Sequence, residues 1–295
     1  MAKKYLWKYL SLDKFEWMLS NTALYLPSMK KLQVAMDPIE GATSRRLVKN
    51  AINDIQKMIN YIPEVGSKWN QRCLNENFKS VISECESFAD KLIDTKLNYS
   101  YIYSMSYGFK ENYALWKIYP TDLLGVVQPN QGIALKIDKN HFSSLFKNKN
   151  IEIKNNILNL DIDKPLLENV IYKTKEEIQN IIEDKEKINH KDFSNILKEV
   201  LLIKDICYKF AEEKRYIVNL KYDTDAINNY IFEADKSFIN IKFNMSELFN
   251  PEYLNIIISP FANRSLTGYV KYLLKQQNVK DIDKIVLKSE IAVPD

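Results

Sequence analysis

Cysteine, histidine, glycine and arginine are all scarce in this chain of 295 residues, which holds three cysteines, two histidines and six glycines. Cys73, Cys85 and Cys207 show no C-x-x-C spacing, and with His141 and His190 they make no credible zinc set. A sparse, odd cysteine count suits a reducing compartment. The only arginines are Arg45, Arg46, Arg72, Arg215 and Arg264. Few planar guanidinium forks, in a net charge of only +4, weigh against nucleic acid as the partner. No run approaches the roughly 20 apolar residues of a membrane span. The opening "MAKKYLWKYLSLDKFEWML" is broken by Lys8, Asp13, Lys14 and Glu16, so it has no signal-peptide core. A cytoplasmic protein without a membrane segment is expected.

What is present is enough for a sizeable core: 46% of residues are hydrophobic and 27% charged. Leu47, Val48, Ala51, Ile52, Ile55, Met58, Ile59 and Ile62 share one face of an amphipathic helix over 44 to 62, behind a Thr43/Ser44 cap. Residues 77 to 95 repeat the pattern and place Cys85 on the buried stripe, as an inert core thiol. A third helix is expected from Asp192 to about Phe210. Strand signals are short, β-branched or aromatic: "SYIYSMS", "GIALKID", "ENVIYKT", "RYIVNLKYD", "SFINIKFN", "LNIIISP" and "DKIVLKSEI". About seven mostly antiparallel strands with helices inserted in blocks give an α+β fold. With no linker and no repeat, one domain over 1–295 is expected. It carries a helical insertion at about 43–96 and a Lys/Asn/Ile-rich surface hairpin or insertion at about 145–164.

Three polar clusters could carry chemistry. In "AMDPIEG", Asp37 and Glu40 make a turn and a helix cap, or else face a pocket. In "YSMSYGFKENYALWKIY", a strand puts Ser104 and Ser106 on one face, and a following helix lines up Tyr113, Trp116 and Tyr119 as an aromatic ridge. That ridge is either core or a ligand platform. In "FAEEKRYIV", Glu213 and Arg215 share a strand face. They form either an exposed ion pair worth at most about 1 kcal/mol or a carboxylate fixed by a cation.

Together these residues resemble a large bacterial family of unknown function. Its landmarks are a K/H-Y-x-S step, an N-D-P-x-E-like turn, a C-F-S-like strand, an L-W-x-x-Y helix and a late E-x-R. Here they stand as "KYLS", "MDPIE", "SMS", "LWKIY" and "EKR". Met36 takes the place of the asparagine and Met105 that of the cysteine. The order of motifs is in turn similar to that of ADP-ribosyltransferases.

That likeness implies an enzyme using NAD as substrate, an ADP-ribosyltransferase or an NAD-cleaving toxin or effector in bacterial stress or phage defence. Lys8, Tyr9 and Ser11 would hold phosphate and ribose. Ser104 and Ser106 would shape the nicotinamide pocket, and Tyr113, Trp116 or Tyr119 would stack. Glu213 would be catalytic, supported by Arg215, Asp37 and Glu40. Lys8 stands where that pattern has His or Arg, and Leu10 where it has a hydroxyl. Two other readings stay open. One is a non-enzymatic protein-binding module that senses or regulates a defence system. The other is a nucleic-acid-processing enzyme holding a divalent metal on Asp37, Glu40 and Glu213.

Overall fold

The computed structural model describes residues 3–35, 97–122, 124–145, 151–153, 156–158, 166–178, 201–219 and 237–292. The helices expected at 44–62 and 77–95 lie outside them, as do Asp37, Glu40 and Cys85. The fold is α+β, as its strand and helix patterns imply.

Two compact units emerge, one of Met1–Pro27, Tyr101–Val170 and Lys209–Asp295, the other of Ser28–Ser100 and Ile171–Tyr208. The described strands are β1 (Tyr5–Ser11), β2 (Ala23–Pro27), β3 (Ser100–Gly108), β4 (Gly132–Ile137), β5 (Ile151–Ile153), β6 (Asn156–Leu158), β7 (Leu166–Asn169), β8 (Ile171–Lys173), β9 (Ile203–Asp205), β10 (Glu213–Asn219), β11 (Phe238–Lys242), β12 (Leu254–Ile258) and β13 (Val286–Lys288). The helices are α1 (Leu12–Asn21), α2 (Met29–Ala35), α3 (Tyr113–Ile118), α4 (Lys139–Leu145), α5 (Met245–Leu248), α6 (Arg264–Gln276) and α7 (Ile282–Ile285).

The first unit is built on a seven-stranded sheet in the order β13-β12-β4-β1-β3-β10-β7. The β1–β3, β1–β4, β4–β12 and β7–β10 ladders are antiparallel, whereas β12 and β13 run parallel. Strand alternation divides its side chains into two sets. Leu6, Lys8 and Leu10 of β1 share a face with Ile137, Leu135 and Ile133, their partners in β4. α1, with buried Phe15, Met18 and Leu19, packs beside β1 and β4, and α6, with Leu266, Val270 and Leu274 buried at four-residue spacing, packs beside α1 and β13. The other face carries Trp7 and Tyr9 of β1, Ala134 of β4 and Ile257 of β12, covered by Leu115 and Trp116 of α3. Asn112 caps α3, its side chain accepting from the Ala114 amide at 2.9 Å.

A four-stranded sheet, β2-β11-β5-β6, completes this unit. Within the Lys/Asn/Ile-rich stretch β5 and β6 pair antiparallel, and β5 pairs with β11. In the second unit, β8 and β9 pair in parallel. The helix expected to run to Phe210 is not helical at its end: Ile203–Asp205 is strand, and Ile206–Ala211 a 3-10 turn. Pairing with β8 overrides the local helical spacing there.

Candidate functional site

The backbone that carries Glu213 and Arg215 is pinned on both sides. Glu212 adopts a left-handed φ of 41°, turning the chain sharply out of the 3-10 segment and into β10. Its carbonyl accepts from the Tyr107 amide of β3 at 2.9 Å, and the Glu213 carbonyl accepts from the Val170 amide, just beyond β7, at 3.0 Å. Two residues apart on one strand, Glu213 and Arg215 project to the same side. The guanidinium Nε donates to the Glu213 carboxylate at 2.9 Å, with the side chains 1% and 4% exposed. The exposed pair of the simplest sequence reading is therefore replaced by a buried one. Glu168 of β7 stands directly across from Arg215. Enclosing a carboxylate and a guanidinium costs desolvation that their attraction only partly recovers, so the pair is a weak stabiliser that is expensive to break.

Lys8 brings a third charge to the same part of the sheet. Pairing between β1 and β3 runs over Tyr5–Gly108, Leu6–Tyr107 and Trp7–Ser106. The next residue, Lys8, donates from Nζ to the Ser104 carbonyl at 2.9 Å and lies 4.3 Å from the Tyr103 ring centroid. Burial pushes its pKa down to about 8, against the opposing pull of the Glu213 charge. Lys8, Ser104, Glu213 and Arg215 thus sit on three consecutive strands, β1, β3 and β10, although Lys8 and Ser104 are 96 residues apart in sequence.

The remaining candidates divide differently. The Tyr9 hydroxyl accepts from the Asn112 amide at 2.9 Å, and its ring meets Trp116 edge-on at 4.9 Å. Trp116 is fully buried and donates from Nε1 to Glu111 at 3.0 Å. Both rings are core, not a ligand platform, and Tyr119 packs partly buried against the same cluster. Tyr113 is the most exposed ring of the expected ridge, at 47%, and meets Phe261 in a T-shaped contact at 5.5 Å. Ser11 is buried, its hydroxyl shared between the Asp13 carboxylate and the Thr121 carbonyl. It therefore ties the start of α1 to a loop instead of standing open to a phosphate. Ser104 and Ser106 are half-buried, and Ser106 lies across from Trp7.

Sequence reasoning missed Glu111. Besides Trp116 Nε1, its carboxylate accepts from the Ser289 hydroxyl at 2.6 Å and the Glu290 amide at 2.8 Å. Nothing local signals a contact across 178 residues. Asn112 was legible in principle, because an Asn directly before an apolar helical run is a capping signal.

Among the described residues no group of three His, Cys, Asp or Glu side chains is placed to hold a metal, and no helix is long and apolar enough to cross a membrane. Compared with known proteins, the chain matches no family model, no curated protein and no solved structure.

Proposed function

We propose that the chain is an NAD-consuming enzyme of the ADP-ribosyltransferase or NAD glycohydrolase type, with Glu213 as its catalytic carboxylate. One observation carries this reading: Glu213 is enclosed in β10 with its charge matched by Arg215 at 2.9 Å and Lys8 within electrostatic reach. A carboxylate held in place inside a low-dielectric sheet suits one task well, the stabilisation of positive charge that develops on a substrate. Such clusters of buried, perturbed charge concentrate at functional sites.

In the reaction, the bond between ribose C1′ and the nicotinamide nitrogen breaks and its electron pair leaves with neutral nicotinamide. The ribose becomes oxocarbenium-like, and water or an acceptor nucleophile then adds to C1′ and gives up a proton. Glu213 faces the cationic stage and accepts hydrogen bonds from ribose hydroxyls. Arg215 positions it, while Lys8, whose side chain starts from the other face of the sheet, acts on it only as a charge. Of the expected stacking rings, Tyr113 takes the nicotinamide role, since Trp116 is enclosed. We place the activity in the cytoplasm, with a protein or small-molecule acceptor.

A second reading, a non-enzymatic protein-binding module, is favoured by a different observation. The loop after α3 presents Leu124 at 89%, Val126 at 56% and Val127 at 44% exposure. Asp122 holds that loop by accepting from the Leu124 and Val126 amides at 2.9 and 2.8 Å. Incubating the purified chain with NAD, with and without cell extract as acceptor source, and measuring free nicotinamide separates the two readings. Release above the uncatalysed background supports the enzyme; none under either condition leaves the module.

A further inference from the structure

Two lysines, Lys4 and Lys214, lie against the Tyr107 ring, and a third, Lys139, acts on Lys214 as a neighbouring charge. Lys4, just ahead of β1, lies 5.4 Å from the centroid of the Tyr107 ring and 5.0 Å from that of Phe109. Lys214 of β10 lies 4.6 Å from the Tyr107 ring and is only 7% exposed. Lys139, the first residue of α4, and Lys4 both act on Lys214 as like charges. The Lys214 amine meets the side-chain oxygen of Asn169, an uncharged partner. Among the described residues no carboxylate pairs with Lys4, Lys139 or Lys214. Glu168 offsets Lys214 only from a distance, and Asp138 is taken by Lys3 at 2.8 Å. Burial first, then the neighbouring cations, weakens the hold of Lys214 on its proton.

Mutually repelling cations around an aromatic ring cost stability, and an anion arriving between them relieves that repulsion. Lysine amines are point-charge phosphate binders, and every nucleobase has a face that stacks on an aromatic ring. Phe109, 50% exposed beside Lys4, offers such a ring. Lys4 and Lys214 both lie within 5.4 Å of the centroid of one tyrosine ring, a spacing suited to a compact phosphate and not to a long backbone track. Strand alternation puts Tyr107 and Lys214 on the opposite sheet face from Ser106 and Glu213. We propose that Lys4, Lys139 and Lys214, with Tyr107 and Phe109, form a binding site for a small phosphorylated ligand of the nucleotide class, separate from Glu213.

Calorimetric titration of the full chain with ADP, with pyrophosphate and with a thymidine oligonucleotide tests this. ADP should bind, more weakly as salt is raised. The double variant K4Q/K139Q and the single variant Lys214→Met should each weaken ADP by about 10-fold or more. Phe109→Ala should weaken ADP and leave pyrophosphate unchanged, while Glu213→Gln should leave ADP binding as it was. If Lys214→Met does not fold, the double variant decides, since Lys4 and Lys139 are only half-buried. Absence of ADP binding at low salt, or affinity indifferent to the lysine substitutions, would overturn the proposal. So would loss of ADP binding in Glu213→Gln, which would move the nucleotide to the other face. An oligonucleotide bound more than about tenfold tighter than ADP would replace the small ligand with a nucleic-acid strand.

Discussion

Two regions of the first unit, the aromatic cluster around Trp116 and the charged pair at Glu213, behave in opposite ways. Around Trp116 the rings are close-packed and their polar tips are matched: Trp116 Nε1 to Glu111, the Tyr9 hydroxyl to the Asn112 amide. Such a cluster combines a large apolar area with satisfied hydrogen bonds and stabilises the fold without any ligand. Around Glu213 the same sheet encloses a carboxylate and a guanidinium and holds a lysine whose pKa falls to about 8. That region costs desolvation where apolar side chains would cost none. An aromatic-rich motif is therefore weak evidence of a site, whereas buried charge at the same depth calls for an explanation beyond folding.

The contrast can be broken by substitution, and the largest effect belongs to the aromatic side. Trp116→Ala empties a fully buried indole and should cost about 3–5 kcal/mol in urea denaturation. A loss under about 1 kcal/mol would mean that the cluster is not core. Arg215→Met leaves the Glu213 charge enclosed without its 2.9 Å partner and should cost about 3 kcal/mol or more. The double change E213Q/R215M should recover a large part of that loss, and a double variant no better than the single one would show that the two charges are not coupled.

Lys8 gives a smaller effect with a definite sign. Its folded pKa, about 8, lies below its ordinary value of 10.5, so between those limits the unfolded chain binds more protons than the folded one. The Lys8 contribution to stability therefore grows as pH rises from about 8 to about 10.5, at up to about 1.4 kcal/mol per pH unit. Lys8→Met should remove that gain. Denaturation midpoints at pH 8.5 and 9.5 that shift equally in wild type and variant would contradict it. Smallest of all is Tyr113→Ala: the ring is 47% exposed, and its loss should change stability by about 1 kcal/mol or less. A larger cost would place Tyr113 inside the core cluster, beside Trp116.

How much of this the sequence announced depends on distance along the chain. β3, β4, β10, β11 and β12 are readable because β-branched and aromatic residues cluster in short runs, and α3 because Tyr113, Trp116 and Tyr119 recur every three residues. β1 carries no clear strand signal, since Lys8 and Ser11 interrupt its apolar pattern and α1 follows without a break. The shared face of Glu213 and Arg215 follows from a spacing of two. Their burial does not, because it comes from β3 and β7, whose flanking positions are fixed by long-range register. For the same reason the Lys8–Ser104 contact and the Glu111 clamp on Ser289 had no local signal.

The most direct measurement sets turnover beside stability in one variant. Glu213→Gln keeps the shape of the side chain and an oxygen for Arg215 while removing the negative charge. Nicotinamide release from NAD should fall by about 100-fold or more, as expected when a preorganised electrostatic partner of a cationic transition state is lost. The folded protein, checked by circular dichroism and thermal melting, should persist. Wild-type rates of nicotinamide release from a folded Glu213→Gln protein would contradict the assignment and reduce the buried pair to a structural feature of β10.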